Sequence, residues 1–244
     1  MTTLVIGASG ATGRQLVEQL VNMGQKVKII VRLPEALPRS WIDNNSISII
    51  AAAVPDITID EMTDHVKGCH AVASCLGHNL TLKGIFGKPK ELVTDSVRLL
   101  CNAIKNSSPK YPVKFVLMNT VGHRNRDLNE TSSFAERMVI GVLRLLLPPQ
   151  SDNEKAADYL RVTIGQNDPL VAWVVVRPDS LLNEDKVTGY NLHVSPVRSP
   201  IFNPGKTSRI NVGHFMARLI VDDYLWKKWK GQMPVIYNVR NKNG

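Results

Sequence analysis

The stretch Leu4-Val5-Ile6-Gly7-Ala8-Ser9-Gly10-Ala11-Thr12-Gly13-Arg14 sets three glycines at intervals of three behind an apolar run. Leu16, Val17, Leu20 and Val21 follow, spaced to share one face of a helix that stops at Gly24. Strand, glycine turn and helix therefore come in the order a dinucleotide site requires. Gly7 permits the tight turn, Gly10 leaves room for a pyrophosphate, and Gly13 lets the helix pack closely on the strand. The helix N-terminus adds free N–H groups and a partial positive charge. Gly7, Ser9, Gly10, Ala11, Thr12, Gly13 and Arg14 are accordingly the expected phosphate-side contacts.

Beyond this turn, strand-like and helix-like patterns alternate. The strands read as Thr3–Ala8, Lys26–Arg32, Ser46–Val54, Ala71–Leu76, Lys114–Asn119, Ala172–Arg177 and Val235–Asn238. Most are continuous Val/Ile/Leu runs, as in strands covered on both faces. Thr58-x-x-Glu61 is a capping box before Ile59, Met62 and Val66. Leu92, Val93, Ser96, Val97, Leu100 and Ile104 make a second amphipathic helix; Val212, Phe215, Met216, Leu219 and Ile220 make a late one behind Asn211. The expected fold is a Rossmann-type, doubly wound α/β domain over residues 1–244, its mostly parallel sheet flanked by helices on both faces. Insertions fall near residues 78–90, 123–150 and 183–210. The second contains the capping box Ser133-x-x-Glu136 and an apolar helix, Phe134 to Leu147, that is expected to be buried or to form an interface, a homodimer's included.

Composition narrows the class. The chain of 244 residues has 43% hydrophobic residues, enough for one sizeable core. Its charge of +9 is scattered over the sequence, with no zinc-finger spacing or basic arm, so nucleic acid is not the expected partner. Cys69, Cys75 and Cys101 sit in apolar contexts and read as reduced core thiols rather than a disulfide framework or metal cluster; the histidines lack ligand spacing, and no metal is expected. Met138 to Leu147 is far shorter than the ~20 residues of a membrane span. A cytoplasmic protein without a membrane segment is the expectation.

An NAD site places a carboxylate at the end of the second strand to accept from the ribose 2′-hydroxyl. Here Ile29-Ile30-Val31 ends in Arg32. A guanidinium can fork onto a 2′-phosphate, with Arg14 as a second cation, so NADPH is the expected cofactor.

The GxxGxxG spacing, with Val72-Ala-Ser-Cys-Leu-Gly77, Phe115-Val-Leu-Met-Asn-Thr120, Glu154-Lys155 and Val174-Val-Val-Arg-Pro178, resembles the atypical short-chain dehydrogenase/reductase group. This is the group of NmrA-like proteins and biliverdin/flavin reductases. The resemblance implies adenine beside Val54 and cofactor contacts at Leu76 and Gly77. It also implies a hydroxyl at Thr120 that orients a carbonyl and a Lys155 that holds the ribose. Where relatives carry the tyrosine of Tyr-x-x-x-Lys, this chain has Ser151. Ser151-x-x-Glu154 after Pro148-Pro149 also reads as a capping box. Tyr159 lies a turn beyond Lys155 and is expected to pack. His123 and His78 are the nearby groups expected to titrate close to neutral pH.

These features favour an NADPH-dependent oxidoreductase acting on a small conjugated or carbonyl acceptor. One alternative is a non-catalytic NAD(P)-sensing regulator like NmrA, contacting a protein partner. The other is a nucleotide-dependent isomerase or epimerase.

Overall fold

The computed structural model describes residues 1–77, 89–128, 130, 135, 138–142 and 148–239. In chain order the elements are β1 (Thr2–Ile6), α1 (Ala11–Asn22), β2 (Lys26–Val31), α2 (Arg39–Ile42), β3 (Ile47–Ala51), α3 (Ile59–Val66), β4 (Ala71–Ser74), α4 (Leu92–Asn106), β5 (Val113–Met118), α5 (Pro148–Asp158), β6 (Val171–Pro178), β7 (Ser180–Leu182), β8 (Tyr190–His193), β9 (Lys206–Ser208), α6 (Arg209–Val221), α7 (Asp223–Trp229) and β10 (Val235–Asn238). The main sheet has the order β3-β2-β1-β4-β5-β6-β10-β8, and β7 pairs with β9 apart from it. All main-sheet neighbours are parallel except β8, which runs antiparallel to β10. The order reverses between β1 and β4, and ligands of such sheets bind in the crevice at that reversal.

Side chains alternate across the sheet. Val5 faces a core with Leu16 and Leu20 of α1 and Phe215 and Leu219 of α6, while Leu4 and Ile6 face Met62 of α3, Val97 and Leu100 of α4 and Ala156 of α5. Burial on both faces explains the unbroken apolar runs of β4 and β6, whose residues are all buried. α1 and α6 approach closely because a Cβ on Gly213 would meet the Leu16 nitrogen at 2.8 Å.

Several boundaries differ from expectation. β3 ends at Ala51, and Val54-Pro55-Asp56 turns as a 3₁₀ helix, since proline has no N–H for a ladder. β1 ends at Ile6 because Gly7 takes φ +72°. The late helix starts at Arg209, with Ser208 accepting from the Asn211 N–H, so Asn211 is inside it. Ser151 likewise lies inside α5 and not at its cap. Prolines suit the first turn of a helix, where no i−4 partner is needed, so Pro148-Pro149 does not end or delay one. The Thr58 capping box is present as expected.

The short strands β7, β8 and β9 lie within residues 183–210 or beside them and have no apolar run to announce them. The Ser133 capping box, residues 143–147 and most of the 78–90 insertion, His78 included, lie outside the described residues. Of the apolar helix, residues 138–142 are helical, with Ile140 buried and Met138 and Val142 exposed. Among the described residues no helix is long and apolar enough to cross a membrane.

Candidate functional site

The glycine turn fills the crevice at the β1/β4 reversal. A Cβ on Gly7 would lie 2.5 Å from the Cys75 carbonyl carbon and 2.6 Å from the Leu76 nitrogen, and one on Gly13 would overlap the Gly7 oxygen. Backbone crowding thus explains two of the three glycines without any ligand. Gly10 differs, because a Cβ there meets only the Gly7 oxygen, at 3.2 Å, and the residue is exposed. Gly10 caps α1 with no side chain, and the first turn carries no acidic residue. Ser9, Gly10 and Ala11 are open to solvent while Thr12 turns inward, leaving an uncapped helix end whose N–H groups suit an anion. The cradle therefore fits a dinucleotide pyrophosphate.

Arg14 reaches back across this turn. Its Nε donates to the Ser9 carbonyl at 3.1 Å and its Nη2 to the Ala36 carbonyl at 3.3 Å, tying the turn to the segment that follows β2. Arg32, directly after β2, is exposed and makes no ion pair or hydrogen bond among the described residues. Val54 is buried where the chain leaves β3, Leu76 is half-buried, and Gly77 is exposed beyond β4. All lie at carboxyl ends of strands.

The second part of the site forms beyond β5 and β6. Asn119 is buried; its Oδ1 accepts from the Thr120 N–H at 2.8 Å and its Nδ2 donates to the Asn153 carbonyl at 2.8 Å, fixing the end of β5 against α5. The Thr120 hydroxyl accepts from the Gly122 N–H at 3.3 Å. Thr120, Gly122, Gln150, Asp179, Ser180 and Ile201 line a cavity of about 260 Å³, room for a small molecule. The Asp179 carboxylate accepts from the Ser180 N–H at 2.9 Å and the Gly205 N–H at 2.7 Å. Burial nevertheless holds its pKa above the ordinary aspartate value, against the opposing pull of those N–H groups and of Arg198.

The other expected residues do not line this cavity among the described residues, although the His123 N–H donates to the Thr120 carbonyl at 3.1 Å. Lys155 is exposed on α5 and pairs with Glu91 at the start of α4. Ser151 is half-buried one turn before it. His123 is buried to 1% exposure, and desolvation lowers its pKa to about 4 despite Asp158 Oδ1 4.0 Å from its Nε2. It is therefore neutral at pH 7, a correction to the expectation of near-neutral titration: a buried imidazole cannot accept charge that water would otherwise solvate. Tyr159 packs, with the Arg98 guanidinium 5.8 Å from its ring centre.

Sequence reading passed over Asn119, Gln150 and Asp179, although Asp179 follows β6 at the ligand-binding edge of the sheet, a signal available in Arg177-Pro178-Asp179. It also missed the role of Arg177. This fully buried guanidinium donates to Glu130 Oε1 at 2.7 Å and Oε2 at 3.1 Å, and to the carbonyls of Met233, His123 and Val194 at 2.6, 2.9 and 3.2 Å. It binds the loop behind Thr120 to the segments before β10 and after β8.

The arrangement defines a nucleotide-binding Rossmann protein with a small adjoining cavity. A family profile described as NAD(P)H-binding matches residues 7–223, and the chain belongs to that family. Among solved structures it is similar to the oxidoreductase ylbE of Lactococcus lactis, at 16% identity and a TM-score of 0.68 over 99% of this chain and 92% of that one. A wide-type short-chain dehydrogenase/reductase of Veillonella parvula in complex with NADP matches at 13% identity and TM-score 0.68, over 97% and 94%. A protein assigned as an NADH-flavin reductase from Streptococcus pneumoniae matches at 19% and 0.64, over 98% and 100%. At these identities the likeness carries the fold alone. Among curated proteins no sequence match is found.

Proposed function

We propose that the protein is an NADPH-dependent reductase of a small conjugated or carbonyl acceptor. The observation that carries this reading is the cavity of about 260 Å³ with Thr120 in its wall, at the same edge of the sheet as the glycine cradle. The cofactor supplies a hydride when bound. Gly7, Ser9, Gly10, Ala11, Thr12 and Gly13 form the cradle for the pyrophosphate, which the N–H groups at the start of α1 receive while the Gly10 N–H stays on the Gly7 carbonyl, and Val54, Leu76 and Gly77 border the nucleotide. Arg32, with no other partner among the described residues, takes the 2′-phosphate, with Arg14 holding the neighbouring segment in place. Lys155 exchanges Glu91 for the ribose. Thr120 donates to the acceptor oxygen: its oxygen already accepts from Gly122, leaving its hydrogen for the ligand.

The test is single-turnover NADPH oxidation with flavins, quinones and small aldehydes. Thr120→Val should slow the chemical step by roughly five- to hundredfold, the loss of one transition-state hydrogen bond. Lys155→Ala should mainly raise the dissociation constant. The pairing of Lys155 with Glu91 and the absence of the family tyrosine favour the second reading, a non-catalytic NAD(P) sensor. Tight NADPH binding without oxidation by any acceptor would select it and sink the reductase.

A further inference from the structure

A carbonyl that receives a hydride must also receive a proton, and the family tyrosine that would deliver it is replaced by Ser151. His123 is sealed from the cavity's chemistry by burial, and Lys155 is engaged by Glu91. Among the described residues the cavity lining is otherwise Val121, Gly122, Ile140, Gln150, Ser180, Pro200 and Ile201 around Thr120, and the one ionisable side chain among them is Asp179.

Asp179 stands directly after β6, as Thr120 stands after β5, and β5 and β6 are neighbours. The two residues thus border one small volume from adjacent strands. The carboxylate is oriented by main-chain N–H groups, one on each oxygen, from Ser180 and from Gly205. Each oxygen keeps a second lone pair. Gly205 is itself fixed, since a Cβ there would overlap the Tyr237 ring. The groups facing Asp179 are the charged Arg198, from the segment after β8, and the Tyr237 phenol, from β10, which burial keeps neutral. Arg198 opposes protonation of Asp179 and burial favours it, and burial is the larger effect.

Resting on the reductase reading, we infer that Asp179 is the proton donor of this site and that the acceptor is therefore an oxygen-bearing one, a carbonyl or an enone. Two electrons arrive as hydride at the acceptor carbon from the reduced dinucleotide. The π pair moves onto oxygen, where the Thr120 hydroxyl donates a hydrogen bond. The Asp179 O–H breaks and its proton goes to that oxygen, and the carboxylate regains a proton from water.

Asp179→Asn tests this, because the amide keeps an oxygen and a similar shape but carries no transferable proton. Carboxyl ¹³C NMR of the protein without cofactor, assigned by the signal missing in Asp179→Asn, should show Asp179 titrating above the ordinary aspartate range. Calorimetry should give unchanged NADPH affinity for the variant. With whichever aldehyde, quinone or enone the unmodified protein reduces, the variant should lose on the order of 10²–10⁴-fold in the chemical step, together with the fall in rate that the unmodified protein shows as the pH rises through the Asp179 titration. A variant that reduces the same acceptor at the unmodified rate overturns the inference and leaves the reductase reading standing. So does a carboxyl signal at or below the ordinary range. An unmodified protein that oxidises NADPH with no acceptor overturns both.

Discussion

The glycines show how one residue type serves different ends within a single turn. Gly7 and Gly13 are demanded by backbone contact, so Gly13→Ala should impair folding itself. At Gly10 a Cβ meets only the Gly7 oxygen, at 3.2 Å, and Gly10→Val should leave the far-UV circular dichroism largely intact while abolishing dinucleotide binding. Retained NADPH affinity in the folded variant would place the cofactor elsewhere. Arg32→Ala should weaken NADPH binding by about one to two powers of ten and leave NADH little changed, read by calorimetry. His123 gives a pH signature. Unfolded, it binds a proton below pH 6.5, whereas folded it does so only near 4, so in that window the unfolded state holds more protons and stability falls as the pH falls. The slope from one such group is about 1.4 kcal/mol per pH unit. Melting curves of His123→Gln should run parallel to those of the unmodified protein above pH 7 and fall less steeply toward pH 4.5. At this scale the glycine turn was legible, and Arg32 after β2 could be picked out as a candidate, because both signals are local. His123 and Asp179 were not, since burial and cavity walls are made by residues distant in sequence.

Among the elements, β6 does more than fill the sheet. Its residue Arg177 is buried with Glu130, and removing one partner of a buried pair leaves the other charge uncompensated, at a cost of about 3–5 kcal/mol. Glu130→Gln should therefore lower the melting temperature by roughly 6–20 °C, at about 2–4 °C per kcal/mol for a chain of this size. Because Arg177 also holds the His123 carbonyl, the same variant should slacken the loop behind Thr120, visible as faster amide exchange over residues 121–128. An unchanged melting temperature would show that the pair adds nothing over a neutral contact. The helices over Ile59–Val66 and Leu92–Asn106 were legible from spacing, and the Thr58 cap from its own sequence. Ser151 misled because the same Ser-x-x-Glu pattern satisfies a cap and an ordinary first turn equally well. β7, β8 and β9 carry no period because their partners, not their own side chains, define them.

For the molecule as a whole, alternation and the glycine turn pointed to a mostly parallel, doubly wound sheet, whereas the order of its strands, with β10 and β8 added beyond β6, comes from the structure. Nothing local in Val235–Asn238 says which neighbour it takes. A ligand that binds only the folded state stabilises it by RT ln(1 + [L]/Kd), about 2.7 kcal/mol at a hundredfold excess over Kd. Saturating NADPH should thus raise the melting temperature by roughly 5–11 °C, and NADH at the same concentration by less. Equal shifts would remove the claim of 2′-phosphate recognition. The position of β10 also bears on synthesis. Until residues 231–238 leave the ribosome, β6 is the bare margin of the growing sheet, with every side chain destined for burial and the Arg177 guanidinium still lacking the Met233 carbonyl. A sticky hydrophobic margin of this kind invites pairing with other chains. A chain that stops after Gln232, before β10 can cover this margin, should therefore accumulate as insoluble material rather than as a slightly shortened protein.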